Sequence, residues 1–222
     1  MLFRSVGERA YLKSELRHLG CAVLDVRRVV RQHLRRERPD HDALVELCDA
    51  LWAEPVHERR LAAVEALVAS VDELEVDDLG WIELLLRDAR TWALVDPLAG
   101  TVVAEMAARE PAVLATLDRW LGDDDFWVRR SAVLGLRKVL AAGREWDRFV
   151  RFAEALLDER EFFIRKVLGW VAREEGRRHP VVVTAWARSV LPRMSHVMVR
   201  EVVKPLPDGD ALLAEWRACR TG

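Results

Sequence analysis

Cysteine is scarce: Cys21, Cys48 and Cys219 are three, scattered, and contain no CxxC pair, which excludes a disulfide framework and a cysteine zinc site. The six histidines form no HExxH and stand apart from the cysteines, so no metal ligand set is expected. No apolar run approaches the roughly 18 residues that a membrane span requires. Met1-Leu2-Phe3-Arg4 reaches Glu8 and Arg9 too soon to leave the apolar core of a signal peptide. A cytoplasmic protein with no membrane partner is therefore expected. The Val/Ile/Thr alternation of strands is also missing between turn residues, which argues against a sheet.

What is present is apolar and charged together: 51% of the 222 residues are hydrophobic and 32% are charged. Such a chain buries a sizeable core and keeps a solvated face, and a single domain over 1–222 is expected. The net charge of −2 hides an uneven distribution: residues 1–40 carry +5, residues 41–100 carry −10 and residues 101–222 carry +3. Basic ends around an acidic middle can place one positive surface on a folded chain, although helical proteins commonly carry uneven solvated faces.

Helical periodicity runs nearly throughout. Leu44, Leu47, Cys48 and Leu51 follow the i, i+3, i+4, i+7 pattern, and Gly and Pro residues recur where helices should begin or end. An internal repeat organises the chain. Asp125-Phe126-Trp127-Val128-Arg129-Arg130 is echoed by Glu161-Phe162-Phe163-Ile164-Arg165-Lys166 and, more faintly, by His196-Val197-Met198-Val199-Arg200-Glu201. Two helices in a period near 36 residues mark an all-α solenoid, here about six HEAT-like helical hairpins. The two clear copies place an acid, Asp125 or Glu161, at the positive end of a helix dipole, then aromatic and apolar residues that pack on the next hairpin. The aligned arginines 129, 165 and 200 are expected to project as a stripe along one face. A single arginine in such a place more often makes only an inter-repeat salt bridge.

Nine tryptophans are many for this length, and most should be packing residues. Trp92 and Asp96 differ: they stand at i and i+4 on one helix face, and an acid there is costly if buried without a partner. Arg130 is repeat-equivalent to Lys166, and Trp170 lies one turn beyond Lys166. These equivalences are expected to bring Trp92, Asp96, Arg130 and Trp170 to one inner surface.

The chain resembles the DNA alkylation repair enzymes of the AlkD type. The resemblance begins at Tyr11-Leu-Lys-Ser-Glu-Leu-Arg-His-Leu-Gly20 and continues through Arg90-Thr-Trp92-Ala-Leu-Val-Asp96 and Asp125-Phe-Trp-Val-Arg-Arg130-Ser-Ala-Val. It is closest at Glu161-Phe-Phe-Ile-Arg-Lys-Val-Leu-Gly-Trp170-Val-Ala-Arg173-Glu and fades after Leu206. The resemblance implies a DNA glycosylase that hydrolyses the N-glycosidic bond of N3- and N7-alkylated purines in duplex DNA, without a deep base pocket; no cofactor is expected, and the protein is expected to be a monomer. It implies active-site roles for Trp92, Asp96, Trp170 and Arg130, and contacts of Tyr11, Lys138 and Arg173 with the DNA backbone or sugar; Arg165 is added from the repeated stripe.

An N3- or N7-alkylpurine carries a formal positive charge and leaves as a neutral base. It needs no general acid, so one carboxylate suffices where glycoside hydrolysis ordinarily uses two. Asp96 could stabilise positive charge developing on the deoxyribose and place a water, and the indole faces could add cation–π attraction. Two departures from the family stand out: the acidic middle weakens phosphate binding, and Pro97, directly after Asp96, is a residue that breaks helices. Two other functions compete: a HEAT-like scaffold for a protein partner, and a family member that binds DNA without cleaving it.

Overall fold

Apolar stripes at helical spacing, interrupted by capping residues, fold the chain into helices and turns. The computed structural model describes residues 12 and 14–220, and among them no strand forms; an isolated bridge joins Arg17 and Val56. The all-α solenoid expected from the repeat is the fold observed. No helix of the described residues is long and apolar enough to cross a membrane. Two compact units divide the chain, Met1–Leu114 and Ala115–Gly222.

In the first unit, α1 (Val23–Glu37), α2 (His41–Trp52), α3 (His57–Ala69) and α4 (Leu79–Ala89) precede α5 (Trp92–Pro97) and α6 (Ala104–Arg109). The Asp40 side chain accepts the Ala43 N–H at the start of α2, and the Leu44–Cys48 stripe is fully buried. At the mouth of α3, the buried Glu58 carboxylate accepts the backbone N–H groups of Leu19, Gly20 and Cys21 at 2.9, 2.6 and 3.2 Å. Gly20, at φ 84°, lets those N–H groups converge. Burial alone would push the Glu58 carboxyl up, but these backbone donors hold it below its ordinary value.

Pro97 does not end its helix. The chain stays helical through it, passes into a π turn at Leu98–Val103, and resumes as α6. Leu94, Val95, Leu98, Ala99, Val102 and Val103 are all fully buried, so core packing on both sides holds the segment helical through a residue that local preference disfavours.

In the second unit, α7 (Val113–Leu121, beginning just before the division), α8 (Phe126–Gly135), α9 (Arg137–Ala141), α10 (Trp146–Leu156), α11 (Phe162–Arg178), α12 (Pro180–Val190), α13 (His196–Val202) and α14 (Gly209–Ala218) follow in order. The sequence echo is a helix-start device. Asp125 caps the Trp127 N–H at 2.8 Å and Glu161 caps the Phe163 N–H at 3.3 Å. In the third copy the cap comes from Ser195, one residue earlier than the alignment, to the Met198 N–H. The echoed aromatics pack between hairpins as expected, with Trp127 and Phe163 centroids 4.8 Å apart.

The close approach of α11 and α13 depends on Gly169. A Cβ added there would stand 2.9 Å from both the Met198 carbonyl oxygen and the Glu201 Cβ, with no flexible side-chain end to yield. Gly169→Ala is expected to destabilise the protein by roughly 1–3 kcal/mol, read as a lower urea midpoint at unchanged m-value. An unchanged midpoint would mean that the two helices slide apart at little cost.

Candidate functional site

The first unit contributes the helix that carries Trp92 and Asp96. Arg90, at φ 47°, turns the chain out of α4, and extended Thr91 opens α5. The Thr91 Oγ1 does not cap the helix; it donates to the Leu12 carbonyl at 3.0 Å and ties the helix start to the chain's beginning. The Thr91 carbonyl instead accepts from Leu94 and Val95. Trp92 and Asp96 follow one turn apart and both are half-buried, while Leu94 and Val95 behind them are fully buried. The two side chains therefore share the strip of this helix that reaches solvent. That strip continues at Thr101 and Glu105, and the step of five from Asp96 to Thr101 is where the π turn adds a residue.

The second unit holds the remaining candidates, and several are engaged inside it. Arg130 is only 2% exposed. Its Nη1 donates to the Phe163 carbonyl at 2.5 Å, and its guanidinium lies 5.9 Å from the Phe163 ring centre. Its repeat-equivalent Lys166 is exposed, so the two positions do not share an environment. The repeated arginines do not form the expected outward stripe. Arg129 reaches back to the Asp123 carbonyl at 2.6 Å and pairs with Glu159 at 2.7 Å; Arg165 reaches back to the Glu159 carbonyl at 2.7 Å. Both satisfy carbonyls left over just past the ends of α7 and α10. Arg200 is exposed, and in its copy the matching Met194 carbonyl accepts the Trp216 indole N–H instead.

Trp170 is half-buried and braced from two sides. Its indole N–H donates to Glu174 at 2.9 Å, and Arg137, joined to the same carboxylate by two bonds of 2.9 Å, lies 4.9 Å over its ring. Burial would push the Glu174 carboxyl up, but Arg137, with Trp170 and Arg178, holds it below its ordinary value. One indole face is thus occupied by a guanidinium. Arg173 is ion-paired with Glu201 across α11 and α13, Lys138 is exposed, and Tyr11 lies outside the described residues.

Sequence reasoning missed the Arg137–Glu174 brace and a similar one in the first unit. There the Trp52 indole donates to Asp88 at 3.0 Å while Arg60 pairs with Asp88 at 2.7 Å and lies 5.0 Å over the Trp52 ring. The available signal was opposite charge about one repeat away: Arg27 and Glu65 are 38 residues apart, Arg137 and Glu174 are 37.

The helical hairpins define the class as an α-solenoid with a Trp–Asp pair on one of its helices. The sequence signature of the DNA alkylation repair enzyme family matches residues 4–206, and the chain belongs to that family. Membership supports a role in DNA repair. Among solved structures, a predicted DNA alkylation repair enzyme from Enterococcus faecalis matches with a TM-score of 0.83 at 19% identity, covering 92% of this chain and 95% of that one. That likeness shows the shared fold. No curated protein sequence matches the chain.

Proposed function

We propose that the chain is a DNA repair glycosylase that hydrolyses the N-glycosidic bond of N3- and N7-alkylated purines in duplex DNA. The observation that carries this proposal is the Trp92–Asp96 pair: a carboxylate one turn below an indole, on the solvent-reaching side of a helix whose other side, at Leu94 and Val95, is fully buried, in a member of a DNA alkylation repair family. A half-buried carboxylate is a source of negative charge weakly screened by water, suited to the positive charge that develops on deoxyribose as the bond breaks. The cationic base departs neutral, so Asp96 needs no acid partner; it stabilises the sugar and orients the attacking water. Trp92 adds an aromatic face at the same level of the helix. In the second unit, Trp170 serves as a further aromatic contact, positioned by Glu174 and Arg137.

Arg130, Arg173 and Arg165 take supporting roles on this proposal. Their contacts inside the second unit favour stiffening of the helices around Trp170 over direct phosphate binding. The same engagement favours, as a second reading, a family member that binds DNA without excising bases. Incubation of the protein with methylated duplex DNA, followed by chromatography of released bases, separates the two. Release of 3-methyladenine or 7-methylguanine supports the glycosylase, and binding without release supports the second reading.

A further inference from the structure

We propose that α1 is a phosphate track that binds the backbone of duplex DNA through Arg31, Arg35 and Arg38, an inference that rests on the proposed action on DNA. The helix is unusual in what it leaves exposed. Over Val23–Glu37 only Val30 is buried, while Arg28, Arg31, Arg35 and Arg36 are exposed, followed by exposed Arg38 at the C-cap. Leu24, Arg28, Arg31, Arg35 and Arg38 follow helical spacing and lie along one stripe.

The arginines of this helix divide into two groups. Arg27 is committed to Glu65 by two bonds of 2.7 Å, Arg28 pairs with Asp25 and Arg36 with Glu37. Among the described residues Arg31, Arg35 and Arg38 have no hydrogen-bonding or ion-pair partner for their guanidinium groups. In the second unit Arg129, Arg137, Arg148, Arg173 and Arg193 are ion-paired, and Arg160, Arg177 and Arg200, exposed and without such a partner among the described residues, are scattered over separate segments and do not follow one another on adjacent turns of one helix. Three unpaired cations on adjacent turns repel one another, and the helix dipole favours only Arg35 and Arg38, at its C-terminal end.

Arg31, Arg35 and Arg38 line an open cleft of about 610 Å³ beside α3. Two carboxylates, Asp72 and Glu73, stand on its other side, and Asp72 is paired with Arg109 at 3.2 Å. The charge left over on the α1 side is positive. At about 1.5 Å of rise per residue, Arg31 to Arg38 spans about 10 Å, comparable with three phosphate-to-phosphate steps of one B-DNA strand at about 3.4 Å each along the axis. A row of charge repeating on that scale matches a phosphodiester chain better than a single carboxylate or a phosphorylated side chain. The exposed apolar residues of the helix, Val23, Leu24 and Val29, lie within its first half and make no continuous lipid-facing stripe along it.

The test is the triple variant Arg31→Gln/Arg35→Gln/Arg38→Gln, compared with a charge-matched triple on α10, α12 and α14, Arg151→Gln/Arg188→Gln/Arg217→Gln. Binding to an undamaged fluorescein-labelled duplex is followed by anisotropy between about 50 and 200 mM salt. The α1 variant should lower the slope of log K against log salt by about 2–3 and weaken binding at the low-salt end by about 10- to 100-fold. The matched triple should change either quantity much less. Equal effects of the two triples, an unchanged slope in the α1 variant, or no duplex binding by the wild type would each overturn the track. So would binding of the wild type to phosphatidylserine–phosphatidylcholine vesicles that is lost in the α1 variant while its DNA binding is kept. Base release by the wild type is read separately. Release with an unchanged slope sinks the track and leaves the glycosylase; a lowered slope without release does the reverse.

Discussion

Replacing Asp96 with Asn should slow excision of N7-methylguanine by about 30- to 1,000-fold, equivalent to roughly 2–4 kcal/mol of barrier. The substitution keeps the shape of a half-buried side chain and part of its hydrogen bonding, and removes its negative charge. If that charge opposes the positive charge of the departing-base transition state, the loss falls on the chemical step. Duplex affinity should hold or tighten, because a negative charge near phosphates is gone. Single-turnover excision and anisotropy on the same duplex therefore move differently. Trp170→Ala should cost less, since one indole face already carries Arg137. An Asp96→Asn protein that excises at the wild-type rate would make this carboxylate structural.

Glu58→Ala should destabilise the protein by roughly 2–4 kcal/mol at neutral pH, read from urea unfolding. The carboxylate is buried and gathers three backbone N–H groups from Leu19, Gly20 and Cys21, and truncation leaves those donors without acceptors. Its neighbour His57 adds a pH dependence. The His57 ring stacks on His18 at 4.5 Å. Burial, with the adjacent His18, pushes His57 down to about 4, and Glu58 pulls in the opposite direction. The folded value lies below the ordinary 6.5, so the unfolded chain binds more protons between the two. Stability is full above about 6.5 and is lost as pH falls through about 4, by up to about 3 kcal/mol. His41 works on the alkaline side. Hydrogen bonds to Asp42 and Asp78 push it up to about 9, so its contribution is present below about 6.5 and fades as pH rises through 9. Unfolding free energies between pH 4 and 7 that do not fall toward acid would remove the buried neutral His57 from the account.

Much of the fold was legible because repetition multiplies a weak local signal. Asp125 and Glu161 announced helix starts one period apart, and both caps formed. The Trp92–Asp96 relation was legible from helical spacing alone, and both residues lie on one helix strip. Arginine direction was not legible. A long, flexible guanidinium chain can point to solvent or fold back to a carbonyl six residues earlier, as Arg129 and Arg165 do, and the deciding partner is set by tertiary packing. The outcome at Pro97 was not legible for a related reason: local preference opposes a helix there, and the buried residues from Leu94 to Val103 keep the chain helical, with a π turn directly after the proline. The third repeat's cap shifted to Ser195 because a hydroxyl one position earlier satisfies the same N–H.

The π turn at Leu98–Val103 sets the phase between two jobs of one continuous helical rod. Upstream it aims Asp96; downstream Arg109 clamps the carbonyls of Val71 and Leu74 at 3.1 and 2.8 Å and so pins the acidic turn after α3. An inserted residue in an α-helix rotates everything beyond it by about 100°. Deleting Thr101 should therefore restore plain α-helix and swing either the clamp or the carboxylate out of alignment, with a loss of stability or of excision that no substitution at the same site reproduces. The extra residue works as a phase adjuster, and a length change of one in this segment is a heavier lesion than a change of side chain.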